Sequence, residues 1–210
     1  MSNALKVVAI NGSPRSNGNT ARALRVMTDE LEVAGIATET VHIGNKSIAG
    51  CLACGACANT SDNLCVQKDI VNEVALKVRA ADGFILGSPT YYAGIAGTMK
   101  AFLDRMFYSS SRYFRYKVAT MVSVVRRTGG LDVQHQLDNY LGLAGTITPP
   151  SQYWRVVYGR EQGEALQDAE GIQTMRANAR DMAWLLKTLD ASKAIPKPET
   201  EKRVWTHFIR

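Results

Sequence analysis

The sequence predicts a doubly wound α/β fold: three layers, with a five-stranded parallel sheet between helices on both faces. Three observations carry this. Short apolar, β-branched runs alternate with segments whose apolar residues recur every three to four positions. The first run is followed at once by a loop rich in Gly, Ser and Asn, and then by a helical pattern. Two unusual loops leave the first and third strands, which flank the point where a sheet of order 2-1-3-4-5 reverses its winding and ligands bind. Residues 1–210 are read as one domain, with residues 1–4 a disordered or cloning-derived lead-in and residues 199–210 a C-terminal tail.

The elements follow in order. Leu5–Ile10 reads as a strand buried on both faces. Residues 20–35 place Ala23, Leu24, Met27, Leu31 and Ala34 at helical spacing, with Gly35 as the stop. Ala37–Ile43 alternates as a second strand. Asp69–Arg79 is helical, Gly83–Gly87 is a short buried strand, and Ser88–Gly97 a loop. Residues 98–107 are helical again, and Lys117–Val125 is a long β-branched strand that Gly129-Gly130 ends. Leu131–Leu141 reads as helix, and Gly145–Thr148 as the fifth strand, stopped by Pro149-Pro150. Residues 151–167 are a long connection, of a length usually kept for function. A last helix runs through Ile172 and Leu189 until Pro196 and Pro198.

A hydrophobic share of 46% and a charged share of 21% are those of an ordinary globule. No apolar run approaches the roughly 20 residues of a membrane helix, and no secretory signal precedes Leu5, so a cytoplasmic location is expected. The net charge is +6. Its basic residues are scattered, with no Lys/Arg run, so nucleic acid is not expected; a field drawing in phosphorylated small molecules is.

The stretch Asn11–Thr20 has the arrangement of an anion site: strand, small polar loop, helix N-terminus with unpaired N–H groups. It lacks G-x-x-x-x-G-K-[ST] and G-x-G-x-x-G, which argues against a nucleoside triphosphate or a dinucleotide. Its bland reading is a turn with Asn17 or Asn19 capping the helix. Tyr91-Tyr92 after the third strand suits a flat ring, or simple packing at a strand end. All four cysteines lie between Cys51 and Cys65. Clustering of this kind points to metal or redox chemistry rather than to disulfide staples. The compact C-x2-C-x2-C run with a later Cys65 suits an iron–sulfur cluster; zinc and redox or free thiols stay open. The spacer Ala58–Leu64 reads as polar and flexible. Lys100, Asp104 and Arg105 read as a structural, exposed ion pair worth about 0.3–0.5 kcal/mol.

At these loops the chain resembles the flavodoxin-like NAD(P)H-dependent FMN reductases. The resemblance rests on Asn11-Gly-Ser-Pro-Arg15 with Gly18-Asn-Thr20, Gly87-Ser-Pro-Thr-Tyr-Tyr92, and Gly97-Thr-Met-Lys-Ala-Phe-Leu-Asp-Arg105, and runs from about Lys6 to Leu186. It implies FMN as cofactor, its phosphate on Ser13, Arg15, Asn19 and Thr20, with Ser16, Asn17 and Gly18 contributing backbone. It implies Pro89, Thr90, Tyr91, Tyr92 and Gly94 beside the isoalloxazine, and Arg126, Arg127, Thr128 and Gly129 along its edge. Paired arginines depart from the Gly or Ser common there; one could stabilise anionic reduced flavin or bind a nicotinamide nucleotide's phosphate. The iron–sulfur flavoprotein subgroup has a similar cysteine motif, which implies a [4Fe–4S] cluster on Cys51, Cys54, Cys57 and Cys65. No catalytic side chain is implied, since the flavin carries the chemistry, and His42, His135 and His207 fall outside all three loops. The implied partners are NAD(P)H and a quinone, flavin, other small molecule or protein acceptor; the alternative is an electron carrier between ferredoxin-like proteins. A homodimer or homotetramer is expected, with Ser151–Gly159 at its contact.

Overall fold

A computed structural model describes residues 4–206 and Phe208; His207 and the first three residues lie outside the described residues. The chain runs β1 (Lys6–Asn11), α1 (Asn19–Val33), β2 (Ala37–His42), α2 (Ile70–Ala80), β3 (Gly83–Tyr91), β4 (Gly94–Ile95) and α3 (Gly97–Ser110). It continues through β5 (Val118–Val125), α4 (Gly130–Leu143), β6 (Val156–Tyr158) and α5 (Ala169–Ala191).

Five strands pair in parallel in the order β2-β1-β3-β5-β6, and β4 pairs antiparallel with β3. Alternation along β1 explains the layers. Val8 and Ile10 face one core with α2, α3 and α4 residues, among them Val74, Phe102, Leu103 and Leu137. Val7 and Ala9 face the other, with Leu24, Met27, Met175 and Met182 of α1 and α5. The expected three-layer flavodoxin-like fold is thus observed. No helix among the described residues is long and apolar enough to cross a membrane.

Two elements differ from expectation. Gly145–Thr148 forms no strand; Ile147 makes one bridge to Val118, and the fifth parallel position is taken by Val156–Tyr158. The Pro149-Pro150 pair cannot donate to a ladder, so pairing along β5 breaks there and resumes six residues on. The third strand also runs on to Tyr91 and turns into β4 instead of ending at Gly87. The turn residues Tyr92 and Ala93 both have positive φ, +48° and +58°. A two-residue hairpin turn demands that backbone, and neither residue is the Gly or Asn that adopts it readily.

Glycines set how closely the loops approach. The Gly12 N–H donates to the Gly87 carbonyl at 2.8 Å, and a Cβ on Gly12 would lie 2.8 Å from Met99 Sδ. A Cβ on Gly44 would lie 2.1 Å from the Ser13 carbonyl oxygen. Gly44→Ala is therefore expected to lower the unfolding free energy by about 1–3 kcal/mol. Gly142→Ala, in α4 with open space around it, is expected to raise it by about 0.5–1 kcal/mol. Urea denaturation of the two variants checks both signs.

Candidate functional site

The first loop is built by its own short side chains. Asn11 Oδ1 accepts from the Ser13 N–H at 3.0 Å, and Ser13 Oγ accepts from the Arg15 N–H at 3.2 Å. His42 Nε2 meets the Ser13 carbonyl at 2.6 Å. The loop delivers the chain to α1, whose N-cap is Gly18 with no side-chain cap. The first α1 N–H groups are therefore free for an anion, and the capping role considered for Asn17 or Asn19 is not taken up. Ser13 and Thr20 are buried, whereas Arg15, Ser16 and Asn17 are exposed at the mouth.

Asn19 differs from the expectation for its side chain. Its Nδ2 donates to the Glu161 carbonyl at 2.9 Å, and its Oδ1 accepts from the N–H groups of Gly163 and Ala165. Gln162 Nε2 adds a bond to the Asn17 carbonyl. The Asn19 amide is spent fastening the loop after β6 onto the first loop, which leaves its backbone N–H for an anion. Nothing in the sequence separation of these residues signals that contact.

The second and third loops meet. A Cβ on Gly129, whose φ is +89°, would lie 3.1 Å from Ala93 Cα and 3.2 Å from Thr90 Cγ2. Thr90 Oγ1 is buried with no hydrogen-bond partner, so a donor or acceptor from a ligand is the natural complement. Tyr91 is half exposed and Tyr92 fully exposed, so neither packs at the strand end. Arg126, Arg127 and Thr128 are exposed; Gly129 caps α4 without a side-chain bond. The loops after β1, β3 and β5 thus present free N–H groups, an orphaned hydroxyl and aromatic rings on one crevice. This donor set fits a phosphorylated flat cofactor.

The four cysteines line one cavity of about 470 Å³ together with Lys100, Asp104, Arg105 and Tyr108. All four are free thiols. Burial, and then the charges of Cys65, Cys51 and Cys54, push the Cys57 thiol above its ordinary value. Among the described residues, no group of three or more His, Cys, Asp or Glu side chains converges as it stands to hold a metal ion.

The frame of that cavity was not legible beforehand. Arg105 is fully buried rather than part of an exposed pair. It donates to both Asp69 oxygens at 2.6 and 3.0 Å, to the Gln67 carbonyl at 2.8 Å and to the Ala49 carbonyl at 3.3 Å. Its Nε lies 3.4 Å from Cys65 Sγ. The spacer read as flexible is also tied down. Arg79 donates to the Asp62 and Asn63 carbonyls at 2.6 and 2.7 Å, and buried Asn63 bonds Cys57, Thr60 and Tyr113. The Lys100–Asp104 pair is present as expected, with Tyr140 donating to the same carboxylate. Burial, and then the Asp104 carboxylate beside it, push the Tyr140 phenol up to about 12.

Asp69→Ala leaves the Arg105 guanidinium buried and unpaired. It is expected to lower the unfolding free energy by about 3–5 kcal/mol, against less than about 1 kcal/mol for Lys100→Ala at the exposed pair. Equilibrium denaturation of the two variants separates the values; equal losses would refute the assignment of Arg105 as the frame.

Residues 5–161 match the family model described as NADPH-dependent FMN reductase. An iron-sulfur flavoprotein of Methanocaldococcus jannaschii is 30% identical over 193 residues, covering 88% of this chain and 99% of the relative. An NADPH azoreductase of a Bacillus species is 27% identical over 174 residues, covering 80% of this chain and 86% of the relative. The crystal structure of RosB with a bound 8-demethyl-8-formylriboflavin-5'-phosphate intermediate superposes with a TM-score of 0.69 at 19% identity, covering 99% of this chain and 94% of that one; it shares the fold. The chain belongs to the NADPH-dependent FMN reductase family and is an FMN-binding oxidoreductase.

Proposed function

We propose that the chain is an electron carrier in which FMN exchanges electrons with a [4Fe–4S] cluster held by Cys51, Cys54, Cys57 and Cys65, and through it with ferredoxin-like proteins. The observation that carries this is the cysteine cavity itself: four thiols share one cavity whose walls are fastened by Arg105, Asp69, Arg79 and Asn63. The 30% identical relative, named an iron-sulfur flavoprotein, supports it along nearly its whole length. The donor set suits a cluster, since four thiolates carry its charge and the Arg105 N–H beside Cys65 opposes it. The thiols must draw together as the group binds.

FMN supplies, when bound, one- and two-electron chemistry. The chain's residues bind and orient it. Ser13 and the first N–H groups of α1 hold the phosphate, with Arg15, Ser16, Asn17, Gly18 and Thr20 around it. Pro89, Thr90, Tyr91, Tyr92 and Gly94 border the ring, and Thr128 and Gly129 its edge. Arg126 or Arg127 favours negative charge there. The helix α3 begins beside the ring loop at Gly97 and reaches the cysteine frame at Arg105, a rise of about 12 Å. One rigid element thus sets the separation of the two redox sites.

A second reading is reduction of a quinone, azo compound, flavin or other small acceptor by NAD(P)H, with no cluster. The family description and the azoreductase relative favour it. Either activity is assigned to the cytoplasm and to a homodimer or homotetramer in contact through 151–159, whose Tyr153 and Trp154 are exposed.

Protein purified without oxygen is expected to hold FMN, with iron and acid-labile sulfide each at about four per chain. Cys57→Ser is expected to lose most of the iron and keep the FMN. Iron and sulfide absent from wild type, with FMN retained, would sink the carrier reading; zinc at one per chain would point to a structural site.

A further inference from the structure

The fold gathers cations that the sequence scatters. Arg79 at the end of α2, the stretch Arg112-Tyr-Phe-Arg-Tyr-Lys117 before β5, and Lys197 beyond α5 meet at the amino end of the sheet. Two tyrosine rings hold them. The Arg79 guanidinium lies 4.2 Å from the centre of the Tyr113 ring, and that of Arg112 5.9 Å. Arg115 lies 5.0 Å and the Lys197 ammonium 5.2 Å from the centre of the Tyr116 ring. Cation–π contacts of this length restrain long side chains that would otherwise wander in solvent. Lys117 Nζ donates to the Arg79 carbonyl at 3.0 Å and so joins the two groups into one ridge.

The charge of this ridge is not answered within the chain. Arg112, Arg115 and Lys197 are exposed, and none of them forms an ion pair among the described residues. Burial pulls the Arg79 guanidinium below its ordinary value, and the neighbouring Arg112 charge acts in the same direction. Burial likewise pulls the Lys117 ammonium down, and the Lys197 charge adds to it. The Asp62 and Asp82 carboxylates oppose these shifts only through space. Like charges are thus held close together, at a cost that an opposing anionic surface would relieve.

The ridge begins where the cysteine frame ends. From Gly97 beside the ring loop, α3 passes the cysteines at Arg105 and Tyr108, whose carbonyl accepts from the Cys57 thiol at 3.9 Å. After Ser110 the chain enters the single turn Ser111–Tyr113 that carries Arg112. Tyr113 Oη donates to Asn63 Oδ1 at 2.8 Å, and Asn63 Nδ2 donates to the Cys57 carbonyl at 3.4 Å. Crevice, cysteines and ridge therefore follow one another along one helix. A ring that already carries two cations is not open to stack a base, which argues against nucleic acid. Carboxylates spread over a protein surface match cations spread over three segments.

We propose that this ridge is the docking surface for an electron-exchanging protein with an acidic face, seated against the cysteine loop on the side away from the flavin. The proposal rests on the carrier reading above.

The test uses protein purified without oxygen and carrying its FMN, with an acidic ferredoxin as the probe. Calorimetry reads binding of the oxidised probe, and stopped-flow absorbance reads flavin reduction by the reduced one. Arg112→Glu, Arg115→Glu and Lys197→Glu together are expected to slow association about tenfold or more at low salt. The difference closes at about 1 M salt, where the screening length falls to about 3 Å. FMN and iron content, and flavin reduction by dithionite, stay unchanged. Lys197→Glu alone gives a smaller loss of the same sign and serves should the triple variant fail to fold. Unchanged binding and salt dependence in whichever of them folds overturn the surface. So does a single-stranded oligonucleotide that loses affinity in the variant while the ferredoxin keeps its own. Probe binding that depends on the three cations, in protein that holds no iron, upholds the surface and ends the carrier reading alone. Iron-loaded protein that binds the probe equally well without them ends the surface alone.

Discussion

The structure depends on how closely β1 and β3 approach at their carboxyl ends. The winding of the sheet reverses there, and the Gly12 N–H reaches across to the Gly87 carbonyl at 2.8 Å. No side chain fits at Gly12 against Met99, nor at Gly44 against the Ser13 backbone. Three backbone segments are thereby stacked without intervening side chains. The α1 N-terminus is left facing the loop from β3, with no capping side chain to compete for its N–H groups. A bulkier residue at Gly12 or Gly44 would separate these loops, and with them the proposed phosphate and ring ends of the site. Met99, which closes over Gly12, belongs to α3, so the same contact fixes the helix that leads to the cysteines.

A different physics holds the cysteine loop. Few of its residues are apolar enough to anchor it by burial, and most of 51–62 is exposed. Two cations do the fastening. Arg105 ties Ala49, Gln67 and Asp69 together from beneath, and Arg79 ties Asp62 and Asn63 from the side. A planar guanidinium donates in several directions at once, which a lysine ammonium on a flexible stem does less rigidly. Ordering the loop beforehand would lower the entropy lost on binding the proposed cluster. The cost is a buried charge, met by the Asp69 carboxylate, which also caps α2 through the Val71 N–H.

Much of this was legible in the sequence, and the divisions have physical reasons. The layers follow from apolar periodicity, which is local. The loops after β1 and β3 stand out because Gly, Ser, Asn and Pro cluster where strand patterns end. The fifth strand was misplaced because Gly145–Thr148 and Val156–Tyr158 are both short and β-branched; the choice between them lies in the break made by Pro149-Pro150. The roles of Asn19 and Arg105 are contacts over long sequence separations, 142 residues from Asn19 to Glu161 and 36 from Asp69 to Arg105. Periodicity carries no trace of such pairs. Asn19 looked like a ligand donor because it is polar and in the right loop, and Arg105 looked solvated because it adjoins an i,i+4 ion pair. In both, the partner decides the role.

Polar groups in this chain therefore divide by whether the fold answers them. Arg79, Asn63, Asn72 and Asn178 have their partners within the chain, and each fastens one segment to another. The first N–H groups of α1, Thr90 Oγ1, Gln134 Nε2 and Arg155 Nε have none. Arg22 Nε on α1 and Asp190 Oδ1 near the end of α5 are orphans as well. The others lie beyond or beside the carboxyl ends of β1, β3 and β5, next to glycines that hold the backbone close and aromatics left in solvent. An unanswered donor costs about 1–3 kcal/mol, so several in one region are a concentrated destabilisation. Ligands that complete them would return that free energy on binding, which is how the proposed site would select phosphorylated, flat molecules.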